Sequence, residues 1–432
     1  MKRATRELAD TDYDLIVVGA GIYGACVARD AALRGLRVAL LDRGDLGNAT
    51  SHNSFKLIHS GLRYLQHFDF RRVRQSIVET RFWLHAAPHL IRPLKFVMPT
   101  TGYGTRGALA LWAAQQVHEL IGLDRNKGLP PGWRLPAGRV VSKRECRALI
   151  PGLDPRGITG GAVWYDGQMQ DADRILLECV LDAVGAGADA ANYVGVEGLL
   201  GTRTTVKGVR VRDLLSGERF EIRGTITVNT CGPWASELLR LSPQVQLTPQ
   251  MGVLAKGINI VTRRPLVHEH AIGVTSKRAS DAVLGESRRL YFITPWRGCS
   301  LIGTTQVPHA GNPDDCRFTE EDAAALIADI NAAYPPAELT LGDVCYCYGG
   351  LTPAEGATGD GEAQRSRYAN LLDHERTHSI RGLISVIGVK YTTARLIAER
   401  TVDLVYSKLG RTLPPCMAKH KTLPGALPAA LG

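Results

Sequence analysis

Residues 13–42, YDLIVVGAGIYGACVARDAALRGLRVALLD, leave the chain few options. Residues 13–18 are a short run rich in Val and Ile, the pattern of a strand buried on both faces. Gly19, Gly21 and Gly24 follow at once in GxGxxG spacing, with Ile22 and Tyr23 inside the turn. Residues 25–33 continue at helical spacing, and residues 37–41 form a second apolar strand that ends on Asp42, with Arg43 beside it. Strand, glycine turn, helix and strand, closed by an acid about twenty residues on, make a dinucleotide-binding unit. Gly19 allows the tight turn, Gly21 lets backbone approach a pyrophosphate, and Gly24 lets helix and strand pack closely. The helix N-terminus offers N–H groups to the phosphates, and Asp42 is placed to accept from ribose hydroxyls. A lone GxGxxG says little, because glycine turns are common. The complete unit in this order carries the reading.

The rest of the chain has to supply a second unit, since 432 residues exceed what one core usually holds. Hydrophobic content of 44% with 22% charged residues is ordinary for a soluble globular protein. The polar lead MKRATRELADTD does not read as a signal peptide, and no apolar run is long enough to span a bilayer. A cytoplasmic protein is expected. The net charge of +10 suits attraction of anions. The tight cluster Arg71, Arg72 and Arg74 has no aromatic-interleaved repeat around it, so no nucleic-acid partner is expected. Residues 108–121, ALALWAAQQVHELI, carry Leu109, Trp112 and Leu120 at helical spacing. That stripe reads as core packing before it reads as a weak peripheral membrane contact. Nine cysteines are scattered without a CxxC pair or companion ligands, so no metal site is expected and buried free thiols are the reading.

Residues 45–65 form a polar loop rather than an amphipathic element, able to present hydroxyls and N–H groups. Here Thr50, Ser51, Lys56, Leu57, Ile58 and His59, then Gly61, Leu62, Arg63, Tyr64 and Leu65, follow a pattern. The stretch resembles the FAD-dependent glycerol-3-phosphate dehydrogenase family, TSS..S.KLIHGGLRYLE, with Ser60 in place of a glycine. Further along, Thr230-Cys231-Gly232-Pro233-Trp234 is similar to NATGPW, and Leu301-Ile302-Gly303-Thr304-Thr305 carries the IGTT of IGTTD. Gly388-Val389-Lys390-Tyr391-Thr392-Thr393 is similar to GGKLTTYR. The matches run from residue 13 to about residue 423, short of the family's C-terminal helical domain, which is expected to be absent.

The resemblance implies an α/β fold of the glycine-oxidase type. A Rossmann-like FAD-binding domain would comprise residues 1–90, 155–245 and 345–410. A substrate domain on a mostly antiparallel sheet would comprise 91–154 and 246–344, leaving a tail of 411–432. FAD is the implied cofactor. Beyond the nucleotide unit, the implied contacts are Arg43, Thr50, Ser51, Lys56, Leu57, His59, Gly61 and Leu62 in the first third of the chain. Val196 would lie against the adenine, and Thr230, Gly232 and Trp234 would meet FAD a second time. Gly388, Lys390, Tyr391 and Thr392 would lie beside the flavin ring.

Three departures from the pattern bear on the substrate. The SGxRP motif, whose arginine grips the substrate phosphate in the family, reads Gly349-Gly350-Leu351-Thr352-Pro353 here. The KGxH histidine, proposed to take the hydroxyl proton, is Asn259, and an amide is no base near neutral pH. The IGTTD aspartate is Gln306. Lys390 is retained, and Arg367 matches the second phosphate arginine. The expected enzyme therefore takes a hydride from a hydroxyl-bearing carbon of a polyol, a sugar or an anionic derivative, and is inefficient on glycerol-3-phosphate. Lys390 and Arg367 would bind an anionic or polar group, Tyr64 would hydrogen-bond the reacting oxygen, and His59 is the leading candidate base, with His309 second. An amine oxidase remains an alternative. So does a true glycerol-3-phosphate dehydrogenase whose grip has moved to Arg297 or Arg365. A non-catalytic flavin-binding protein is disfavoured by the intact flavin-facing motifs. The electron acceptor, oxygen or quinone, is left open.

Overall fold

The computed structural model describes all residues except 1, 2, 4, 103–106, 243, 246–252, 280–287, 358–362, 366–368, 389 and 427–432. Its centre is the strand Asp12–Val18, flanked in parallel by Val38–Leu41 on one side and Arg219–Asn229 on the other. Asp189–Ala191 and Leu383–Ile387 extend the parallel run outward. Asn370–Asp373 closes one edge in the antiparallel sense. The helices Ile22–Leu33, Ala172–Gly185 and Ala394–Leu409 cover one face, packing Ala25, Ala28, Ile175 and Ala398 on Leu15, Val17 and Leu40. The antiparallel meander Val194–Thr202 and Thr205–Asp213 leads into Arg219–Asn229, and its Val209 and Val211 cover Ile16 and Leu41 on the other face. Burial on both faces is why these strands read as unbroken apolar runs rather than alternating ones.

Among the described residues the second sheet has eleven strands, mostly antiparallel, with Ala271–Ala279 pairing in parallel with Ile91–Thr101. The helix Glu320–Ala333 lies on it, started by a capping box of Thr319 and Asp322 and burying Leu326 and Ile330 against Ile260 and Ile302. Ile158–Met169 and Val344–Ala357 both hydrogen-bond into this sheet. Residues grouped by sequence with the nucleotide unit, in 155–245 and 345–410, therefore begin as strands of the larger sheet. These strands run 12 and 14 residues, and their ladder partners all lie in the larger sheet.

The helix expected over residues 108–121 forms as Ala108–Ile121, but its apolar stripe is not core. Leu109, Trp112 and Leu120 are 78%, 50% and 68% exposed. The opposite face is the buried one: Gln115 Nε2 donates to the Val163 carbonyl at 2.9 Å, and His118 Nε2 lies 3.3 Å from the Ser60 carbonyl. The helical period was readable, whereas the face that meets the sheet depended on two polar side chains. Cysteines 26, 146 and 179 are buried free thiols, whereas Cys345 is exposed. Among the described residues, no cluster of three or more metal-ligating side chains occurs, and no helix is long and apolar enough to cross a membrane.

Candidate active site

The glycine turn is built so that nothing larger fits. Gly19 has φ of +101°, and a Cβ there would sit 2.7 Å from the Thr230 carbonyl oxygen. A Cβ on Gly24 would be 1.8 Å from the Gly19 oxygen. Gly21 caps the helix without a side-chain bond of its own, and Ile22 N–H donates to Ser51 Oγ at 2.9 Å. The helix N-terminus thus faces the polar loop, as an anion site requires. Asp42 accepts from Ala20 N–H at 2.6 Å and Gly44 N–H at 2.8 Å, so the expected ribose acceptor also ties the turn together. Burial raises its pKa, against the pull of those two bonds. Thr230 Oγ1 lies 2.7 Å from the Gly19 carbonyl oxygen, and Gly232–Trp234 continues as a single 3₁₀ turn. Arg43 stacks over Trp234 at 4.5 Å and ion-pairs with Asp314. Val196, half-buried, pairs with Val211 in the meander.

A second cluster joins residues from both ends of the chain. Tyr23 hydroxyl donates to the Lys390 carbonyl at 2.8 Å and accepts from Lys390 N–H at 3.2 Å. A Cβ on Gly388 would fall 2.1 Å from the Tyr23 ring, so glycine is required. Lys390 Nζ lies 4.0 Å from the Tyr64 ring centroid, and the Arg72 guanidinium 3.9 Å from the same centroid. His59 meets Tyr64 edge-on, its Nε2 3.5 Å from the phenol oxygen. Its backbone N–H donates to Thr392 Oγ1 at 3.3 Å, and Trp83 Nε1 donates to the Thr392 carbonyl at 2.9 Å. Tyr391 is buried, donating to the Ala172 carbonyl. Burial, then Lys390, Arg72 and Arg63, push the His59 pKa down to about 3. Burial raises that of Tyr64, which stays a neutral phenol. The imidazole is therefore uncharged at neutral pH and a weak proton acceptor.

The loop between these clusters is held from three sides. Thr50 Oγ1 donates to the Leu351 carbonyl at 2.7 Å. Lys56, at φ of 57°, is buried with its ammonium on the His52 carbonyl, and burial lowers its pKa. Leu57–Ile58 is a two-residue strand on the larger sheet, Gly61 adopts φ of +82°, and Leu62 opens a 3₁₀ turn that carries Tyr64. Ser60, unusual in the sequence pattern, has a partner that sequence reading missed. Its N–H and Oγ both donate to Asp166 Oδ1, at 2.6 and 2.7 Å, while Trp164 Nε1 donates to Oδ2 at 3.0 Å. Asp166 is buried without an ion-pair partner among the described residues, and burial pushes its pKa up to about 6. Its one sequence signal is an acid inside an otherwise buried strand.

The facing wall comes from the second sheet. The register Ala255 to Thr352, Gly257 to Gly350 and Asn259 to Tyr348 puts Thr352, Gly350, Tyr348 and Asn259 on one face. That face meets the polar loop: Tyr348 hydroxyl donates to the Ser54 carbonyl at 3.2 Å, and Asn259 Nδ2 to the Asn53 carbonyl at 3.4 Å. A Cβ on Gly350 would lie 3.0 Å from Thr50. Asn259 Oδ1 and Thr352 Oγ1 are both buried atoms without a hydrogen-bond partner. Arg297 sits at the rim, exposed and 3.1 Å from Asp171. His309 Nε2 lies 3.1 Å from the Asn312 carbonyl oxygen. Arg367 lies outside the described residues.

A family model described as FAD dependent oxidoreductase matches residues 14–404. The chain belongs to this family. It is 36% identical to a glycerol-3-phosphate dehydrogenase of Synechocystis sp., over 97% of this chain and 74% of the relative. An alpha-glycerophosphate oxidase of Streptococcus pneumoniae is 32% identical over 81% of this chain and 57% of its own. Among solved structures, the glycerol-3-phosphate dehydrogenase of Bacillus halodurans complexed with FAD superposes with a TM-score of 0.72. It shares 26% identity, covering 99% of this chain and 71% of that one. The protein is an FAD-dependent oxidoreductase. Its residues fit that cofactor: Gly21 opens the helix with no side chain over the turn, so backbone can approach a pyrophosphate, and the helix start faces the polar loop.

Proposed function

We propose that this enzyme oxidises a hydroxyl-bearing carbon of a small polar substrate, a polyol, sugar or anionic derivative, and acts poorly on glycerol-3-phosphate. FAD supplies the hydride acceptor. The observation that carries the reading is the pair of neutral, unpartnered atoms Asn259 Oδ1 and Thr352 Oγ1 on the wall facing the flavin loop. They stand where the family pattern has a histidine and a phosphate-gripping arginine. A charge-assisted arginine contact to phosphate is worth ~1.5–3 kcal/mol, roughly one to two factors of ten in affinity. Neutral groups with free hydrogen-bonding capacity suit hydroxyls better than a dianion. Lys390 would draw an anionic or electron-rich group toward Tyr64, whose phenol would hydrogen-bond the reacting oxygen. Arg367 would add a second cation.

An amine substrate is the second reading. His59 held near 3 is a poor base, and a neutral amine needs none as strong as an alcohol does. Anaerobic titration of the holoenzyme separates the readings by bleaching of the flavin absorbance. Bleaching by polyols or sugar derivatives, with glycerol-3-phosphate slow, is the expected result. Rapid bleaching at low glycerol-3-phosphate overturns it in favour of a rearranged phosphate grip, and bleaching by amines alone selects the second reading. Reoxidation by oxygen against a soluble quinone then assigns the acceptor. The exposed stripe of Leu109, Trp112 and Leu120 supports peripheral contact with a membrane, tested by co-sedimentation with anionic vesicles.

A further inference from the structure

The ends of three adjacent strands lie abreast at the dinucleotide cleft, since Val18 pairs with both Leu41 and Asn229. Gly19–Gly21 continues from the middle strand, Arg43 follows the second and Trp234 follows the third. The stacking of Arg43 on Trp234 therefore joins the segments that follow the two strands flanking the one that leads into the glycine turn. A single carboxylate from the other sheet holds both. Asp314 takes the Arg43 guanidinium through both of its oxygens and accepts from Trp234 Nε1 at 2.9 Å. Its loop is anchored to the second sheet: Pro313 is buried, and Lys256 Nζ, itself on Asp322, donates to the Arg317 carbonyl at 3.3 Å.

We infer that Asp314 is a cofactor-retaining residue, a clasp supplied by the substrate sheet that closes the dinucleotide cleft through Arg43 and Trp234. It acts on FAD only through those two side chains, so it is a positioning residue. The clasp is half exposed. An exposed ion pair with a stacked cation is a small free energy, and its loss accelerates FAD release about three- to tenfold. Because salt screens exposed pairs, it also gives release an ionic-strength dependence that a packing contact lacks.

The test is the rate of FAD release from the holoenzyme, followed by the rise of flavin fluorescence after dilution, at low and high sodium chloride. Wild type should release FAD faster as salt rises. Asp314→Asn should release it about three- to tenfold faster at low salt and lose the salt dependence. Asp314→Glu should restore much of both. Asp315→Asn, which removes the same charge one residue away on an exposed carboxylate, should behave as wild type. A flat salt profile in the wild type overturns the inference. So does an Asp314→Asn rate equal to wild type, or an Asp315→Asn rate as fast as that of Asp314→Asn.

Discussion

Asp166→Asn probes the buried clamp behind His59 and Tyr64. Burial pushes the wild-type carboxyl up to about 6, because it penalises the charged form more than the donors from Ser60 and Trp164 favour it. With the folded value above the unfolded one, the folded protein holds the proton longer. This contribution to stability is full below the unfolded value and is lost as pH rises through about 6. That rise in pKa is worth on the order of a few kcal/mol. An amide keeps Oδ1 as acceptor for both Ser60 bonds but turns an N–H toward the Trp164 indole, leaving a buried donor unmet at ~1–3 kcal/mol. It carries no ionisation penalty. The variant should therefore unfold at lower temperature than wild type at about pH 4.5, and the gap should close or reverse by about pH 8. Calorimetry of the two holoenzymes side by side reads this directly. A gap of the same size at both pH values refutes the reasoning, since it would mean that Asp166 ionises as easily in the fold as outside it.

Other outcomes follow from single contacts. Asn259→His with Thr352→Arg should raise kcat/KM for glycerol-3-phosphate about tenfold or more, mostly through KM, measured with a dye acceptor. Gly388→Ala forces a Cβ into the Tyr23 ring, so the purified protein should carry a low flavin-to-protein absorbance ratio and be about 1–3 kcal/mol less stable. Since His59 is neutral above about pH 3, the rate of flavin reduction should show no limb from it between pH 5 and 8, and His59→Gln should leave the shape of that profile unchanged. Trp112→Glu should abolish any co-sedimentation with anionic vesicles and leave the thermal midpoint within about a degree, since the ring is half exposed.

The nucleotide unit was legible because every part of it is local. Gly19, Gly21, Gly24 and Asp42 lie within one short stretch, and each meets backbone that the same stretch or its sheet neighbours supply. The polar loop and the segment around Lys390 were legible as patterns, although nothing in either says that Tyr23 joins them. What escaped reading depends on pairs far apart in sequence. Arg43 and Asp314 are separated by 271 positions. Ser60 and Asp166 are separated by 106, and the acid sits in a strand whose other residues carry no hint of a hydroxyl partner. Leu109, Trp112 and Leu120 show the opposite limit: period 3.6 marks two faces, and hydropathy alone chose the wrong one for burial. Gln115 and His118 win that face through their hydrogen bonds to backbone carbonyls.

The Tyr23 bond to Lys390 spans 367 positions, and Gly388 is shaped around the same ring. During synthesis, the glycine turn and its helix leave the ribosome long before the segment that completes them. For most of translation the nascent chain has half a flavin site, with Tyr23 lacking its partner and the parallel sheet lacking Leu383–Ile387. Long-range pairings of this kind form slowly and leave apolar strand edges open meanwhile. The two halves of the site can therefore meet across a flavin only after residue 390 has been made, late in the synthesis of each molecule.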